Sequence, residues 1–171
     1  YYRRLGRHRD LNHTQDELIP PRGWKDWCRT DFFVFYNENQ SCCQWGVRRQ
    51  DWHLPDPPVW QADRGVLLGE ECPGVSAFLH AMGCIAAVFS LPYGSGEFSW
   101  PNQDGLDLLK RSFPIRPFAL NLWLDGGAFY GGGRDIIMLT GTSGAQAGLC
   151  YASGTQEGFD ALDEVLGGFE G

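Results

Sequence analysis

The 171-residue sequence has no CxxC pair, no internal repeat, no low-complexity segment and no apolar run long enough to span a bilayer. The missing CxxC pair argues against a thiol-held zinc module. The least charged stretch, residues 72 to 96, contains no Asp, Glu, Lys or Arg, but its apolar part ends at Pro92 and includes His80 and Gly83. That falls short of the ~20 apolar residues a membrane span requires. No secretion signal is visible, and the six cysteines include the neighbours Cys42 and Cys43, which a strand would point to opposite faces. Reduced, mostly buried thiols in a cytoplasmic protein are therefore expected.

Aromatic residues make up 14% of the chain and seven of them are Trp, too many for a disordered acidic tail. One domain spanning 1–171 is expected from the length. The formal net charge of −7 is unevenly spread. Residues 1 to 51 hold nine Lys/Arg against seven Asp/Glu, whereas residues 52 to 171 hold five against fourteen. An acidic surface of this kind repels nucleic acid and membrane headgroups and attracts a basic partner.

The stretch 31 to 60 organises the chain. Phe32 to Tyr36 is a run of aromatic and β-branched residues that suits a buried strand. Asn37 to Ser41 supplies turn-forming polar residues, and Cys42 to Val47 reads as the return strand, with Cys43, Trp45 and Val47 on one face. Arg48 to Asp51 ends the pairing. Asp56-Pro57-Pro58 keeps the backbone extended, so Val59 to Gln61 is expected at a sheet edge. From Asp10 to Thr30 the prolines and Gly23 predict irregular structure with short helical turns, Trp24 and Trp27 folding back on the sheet. Tyr1 to Leu5 resembles a helix end closed by Gly6, which implies a preceding helix.

Pro73 to Leu91 is the clearest helix, with Val75, Phe78, Leu79, Met82, Ile85, Ala86 and Phe89 within about a third of its circumference. A short helix is expected over Leu106 to Arg111, and strands over Phe118 to Leu124, Ile136 to Thr140 and Gly148 to Ala152, the last two as a hairpin. A closing helix from about Thr155 to Leu166 buries Phe159, Leu162 and Leu166 and presents Glu157, Asp160 and Glu164 opposite.

An aromatic strand, then Glu38-Asn39-Gln40, Trp45-Gly46 and Asp56-Pro57-Pro58-Val59-Trp60 resembles the SUKH superfamily in its Smi/Knr-like bacterial branch. Tyr1 to His8, Leu11-Asn12 and Leu18-Ile19-Pro20-Pro21 are similar to the segment that precedes this hairpin in such proteins. The likeness covers the first half and is one of element order only from Ser76 on. It implies a single α+β domain, mainly antiparallel sheet with helices packed around it, without a general enzymatic activity. Bacterial members mostly act as immunity proteins against polymorphic toxins, and fungal relatives regulate cell-wall synthesis.

No catalytic set can be nominated from the residues. Gly141-Thr142-Ser143-Gly144-Ala145 lacks the second glycine of a nucleophile elbow and sits in a hairpin. The glycine runs at 94–96 and 131–133 lack the strand-to-helix setting and the Lys or Thr of a phosphate loop. His8, His13, His53 and His80 show no metal-ligand spacing, Asp125 and Asp135 read as turn formers, and neither metal nor cofactor is expected. Candidate partner-binding residues are Glu38, Asn39, Gln40, Trp52, Trp60, Glu157, Asp160 and Glu164. The first three either fix the hairpin loop or present a polar rim. Tyr36, Trp45, Trp52 and Trp60 divide between core residues and exposed anchors. The expectation is a non-catalytic immunity protein, a monomer or weak homo-oligomer, that blocks a cognate protein toxin such as a basic nuclease. The rival is a sugar- or nucleotide-binding protein or enzyme, for which an aromatic-lined cleft with convergent carboxylates would speak.

Overall fold

The computed structural model describes residues 3–6, 8–12, 14, 16–24, 31–143 and 146–168. The fold is α+β with antiparallel pairing throughout two five-stranded sheets. The chain divides into two compact units, Tyr1–Ala86 and Ala87–Gly171.

The first unit carries strands β1 (Asp16–Leu18), β2 (Phe32–Glu38), β3 (Gln44–Arg48), β4 (Val59–Asp63) and β5 (Val66–Cys72), each beside the next. The expected hairpin is β2–β3, and Cys43, Trp45 and Val47 are buried as their alternation required. Gly46 is fixed by space: a Cβ there would sit 2.8 Å from the Phe32 ring and closer still to the Phe33 carbonyl oxygen. A bulge between Val34 and Tyr36 gives β2 an extra residue against β3.

Two expectations here need correction, and one strand was not anticipated. Val59 to Gln61 does not lie at an edge, because β4 pairs with β3 on one side and β5 on the other. Strand β5 escaped detection because Val66-Leu67-Leu68 does not alternate, and its register against β4 slips twice. Between Asp10 and Thr30, helix α1 (Arg9–Asn12) and the 3-10 turn at Pro21–Gly23 fit the irregular reading, but β1 pairs with β2. Trp24 does fold back, its ring edge-on to Phe33 at 5.1 Å, while Trp27 lies outside the described residues, as do Tyr1 and Tyr2 of the expected preceding helix.

Helix α2 (Val75–Ser90) is the clearest helix of the sequence reading. Phe78, with no exposed surface, is wedged among Phe35, Tyr36 and Trp45 at ring distances of 5.7, 5.4 and 5.6 Å. Asp56 caps the helix. Its Oδ1 accepts from the Ser76 backbone N–H at 2.9 Å and its Oδ2 from the Ser76 hydroxyl at 2.5 Å, satisfying groups the first turn leaves open. Phe89 departs from the expected buried stripe and is 39% exposed, in the last turn of the helix.

In the second unit, β6 (Tyr93–Gly94), β7 (Ile115–Leu120), β8 (Gly127–Tyr130), β9 (Asp135–Thr140) and β10 (Gly148–Ser153) form a sheet in the order β6-β10-β9-β8-β7. Helices α3 (Gln103–Ser112) and α4 (Gln156–Leu166) are capped by the side chains of Asn102 and Thr155. Leu109, Leu162 and Leu166 pack with Tyr130, Ile137, Leu139, Leu149 and Tyr151 in one buried cluster. The β9–β10 hairpin is as expected. The strand expected over Phe118 to Leu124 is instead Ile115–Leu120, because the chain turns at Leu124 and Asp125, both at positive φ (59° and 55°). Pro117 is tolerated in β7 because this strand lies at the sheet edge.

Among the described residues, no helix is long and apolar enough to cross a membrane.

Candidate functional site

The hairpin loop is built around one carboxylate. Glu38 is 6% exposed, and its Oε2 accepts backbone N–H groups from Gln40 at 2.7 Å and Cys42 at 3.2 Å. Its side chain thus fixes the loop, while Asn39 and Gln40 stay exposed. Opposite Glu38 in the β1–β2 pairing stands Asp16, also buried. Burial pushes the Asp16 carboxyl from its ordinary 3.8 up to about 6, with the Asn39 backbone hydrogen bond pulling down and the Glu38 charge pushing up.

Trp52 is 51% exposed and Trp60 is half-buried. The Arg48 guanidinium lies 3.9 Å over the Trp60 ring and pairs with Asp51 at 2.8 Å, so Trp60 already carries a cation on its face. Trp52 belongs to a groove of about 590 Å³ in the first unit, whose walls include Trp24, Phe33, Phe35, Leu54 and Leu79. Phe33 meets Trp24 and Trp52 edge-on, at 5.1 and 6.3 Å. Among its described lining residues no side chain is charged, so this groove offers contact area and little orientation.

The second unit holds a cleft of a different chemistry, about 470 Å³, lined by Glu97, Phe98, Trp100, Tyr151, Phe159 and Asp163 together with serines 95 and 99. One wall is the segment after β6, which has no regular structure of its own and is held in place by β10. Ser95 donates its N–H to the Tyr151 carbonyl at 2.9 Å, and Ser99 and Leu149 exchange backbone bonds at 2.9 and 2.8 Å. The Ser95 hydroxyl accepts the Tyr151 N–H at 3.3 Å. These bonds fix Phe98 and Trp100, whose rings stack at 6.4 Å, and Trp100 is 48% exposed. The opposite wall is β10 and α4, where Tyr151 stacks on Phe159 at 5.8 Å and donates its hydroxyl to Asp163 Oδ1 at 2.5 Å. Two stacked aromatic pairs and two exposed carboxylates, Glu97 and Asp163, therefore share one cleft, and no cation is among its described lining residues.

Glu157, Asp160 and Glu164 are exposed on α4, on the side away from buried Leu162 and Leu166. At 100° per residue they span about 60° of the helix surface, with Asp163 about another 60° on, toward Phe159. The acidic stripe thus borders the cleft. None of the candidates named from sequence lines it, although Trp52 lines the apolar groove. Glu97, Trp100 and Asp163 were missed because neither segment carries a motif; the signal was the aromatic pair Phe98 and Trp100 beside an acidic residue.

No disulfide joins Cys42, Cys43, Cys72, Cys84 or Cys150 among the described residues, and Cys28 lies outside them. Burial pushes the Cys43 and Cys72 thiols up to about 12, which keeps them unreactive. Among the described residues no group of three or more His, Cys, Asp or Glu is placed to hold a metal ion. The Gly141 to Ala145 segment reaches two residues outside the description, Gly144 and Ala145. Asp135 accepts a hydrogen bond from the Ser153 hydroxyl at 2.7 Å, a structural tie between β9 and β10.

Comparison with protein-family models, curated proteins and solved structures finds no match.

Proposed function

We propose that this protein is a non-catalytic binding protein that neutralises a basic protein partner, and that it works as a cytoplasmic immunity protein against a cognate toxin such as a nuclease. The observation that carries the reading is the exposed carboxylate stripe of α4, Glu157, Asp160 and Glu164, bordering an aromatic cleft with two further carboxylates. A toxin that grips phosphate must display positive charge, so a negative face speeds encounter while aromatic contacts slow release. Blocking such a site requires no reacting group in the inhibitor. The likeness of residues 31 to 60 to SUKH immunity proteins supports the same assignment, and a monomer or weak homo-oligomer suits one-to-one blockade. The test is capture from the native organism, followed by expression of the captured protein alone and with this chain. Toxicity that disappears on co-expression supports the reading; a captured protein whose toxicity is unaffected refutes it.

The cleft itself favours a second reading, a saccharide-binding protein. Stacked aromatics and carboxylates suit the apolar faces and hydroxyl groups of a neutral sugar, whereas the same carboxylates repel a nucleotide phosphate. Isothermal titration with neutral mono- and oligosaccharides decides it, saturable heat with no protein partner favouring this alternative.

A further inference from the structure

We propose that the cleft between the Ser95 to Trp100 segment and α4 is a receptor for a single arginine side chain presented by a protein partner. This rests on the binding-protein reading for the origin of the arginine, but not for the chemistry of the cleft.

The residues select the ligand class. Glu97 and Asp163 bring negative charge into a concave space with no cation among its described lining residues, so an anion is disfavoured and a cation attracted. Trp100, Phe98, Phe159 and Tyr151 bring π faces, and a guanidinium is the cation that stacks on such faces while its edge bonds to carboxylates. Asp163 is steadied by the Tyr151 hydroxyl on Oδ1 and retains a second oxygen for a cation. Trp100 is held by stacking on Phe98 and by its closeness to Gly148, where an added Cβ would sit 3.1 Å from the Trp100 ring. Both walls are fixed before any ligand arrives, so little ordering opposes binding. Elsewhere in the same protein Arg48, seated over Trp60 with its nitrogen on Asp51, shows the arrangement in miniature. A volume of about 470 Å³ holds an arginine side chain with its flanking backbone.

The probe is N-acetyl-arginine amide, with N-acetyl-citrulline amide as its neutral, nearly isosteric control, followed through the indole N–H resonance of Trp100 in the intact chain. Saturable shifts at millimolar arginine, and binding about tenfold weaker for citrulline, are expected from one partly exposed cation–π contact plus carboxylate bonds. Glu97→Gln weakens the arginine probe several-fold and leaves the citrulline probe unchanged. Asp163→Asn serves as a second variant, with its fold checked by circular dichroism because Tyr151 leans on that carboxylate. Equal binding of both probes, or no Trp100 response to either, overturns the proposal. So does tighter binding of a monosaccharide to the same resonances, which would assign the cleft to sugar. If arginine binds here but no toxin is neutralised, the cleft stands and the immunity reading fails. If a toxin is neutralised equally well by Glu97→Gln protein, whose Trp100 resonance reports the weakened arginine binding, the reverse holds.

Discussion

The Tyr151 hydroxyl donates to Asp163 Oδ1 at 2.5 Å, joining strand β10 to helix α4 inside the second unit. Burial, and then the Asp163 carboxylate, push the Tyr151 phenol above its ordinary range, so the hydroxyl keeps its proton and remains a donor across the working pH range. Tyr151→Phe removes this tie without opening a void. It is expected to lower stability by about 1 kcal/mol in urea unfolding, with an unchanged denaturant slope.

Gly46 is the second test. The Phe33 carbonyl oxygen and the Phe32 ring occupy the place of a side chain, so Gly46→Ala forces β2 and β3 apart or displaces Phe32. A loss of about 2 to 3 kcal/mol is expected, since backbone on one side cannot yield. A thermal midpoint equal to that of the unaltered protein would show that the hairpin relaxes freely.

Asp16 makes stability pH-dependent. Its carboxyl is raised to about 6 in the folded chain from 3.8, so between these values the folded state holds a proton that the unfolded state has released. Stability from this group is present below pH 4, declines as pH rises to about 6, and is level above. Asp16→Asn should flatten that decline and raise stability at pH 7 by about 1 to 3 kcal/mol, read from urea midpoints between pH 4 and 8. A wild-type midpoint that rises through this window contradicts the assignment.

Neutralising the α4 stripe, with Glu157→Gln, Asp160→Asn and Glu164→Gln together, separates encounter from stability. The three side chains are exposed, so the stability change stays within about 0.5 kcal/mol. The association rate with the proposed basic partner should fall about tenfold at low salt and lose much of its salt dependence, with the dissociation rate little altered. An unchanged association rate by stopped flow would place docking elsewhere, with the exposed Asn39, Gln40 and Trp52 next to be tested.

Residues whose neighbours in sequence are also their neighbours in space were readable from the chain alone. The β2–β3 hairpin follows from an aromatic run, a polar loop and an alternating return strand, and α2 from the spacing of Phe78, Met82 and Ile85. Strand β5 was hidden because two register slips break the alternation that reveals a half-buried strand. The role of Asp56 was hidden too: Asp56-Pro57-Pro58 reads as an extended segment, and only the fold carries its carboxylate to Ser76. The cleft is the extreme case. Glu97 and Trp100 acquire their partner Asp163 only when β10 holds the segment after β6 in place, and local sequence carries no trace of that pairing.

The cap on α2 also bears on the order of folding. The carboxylate that closes its first turn comes from twenty residues upstream, across the whole of the β4–β5 hairpin. A helix normally recruits its cap from an adjacent residue and can nucleate alone, but here the closing group arrives only after an intervening loop has been drawn together. The start of α2 therefore registers whether the preceding hairpin has formed. A chain with β4 or β5 unpaired is therefore expected to leave the first turn of α2 frayed.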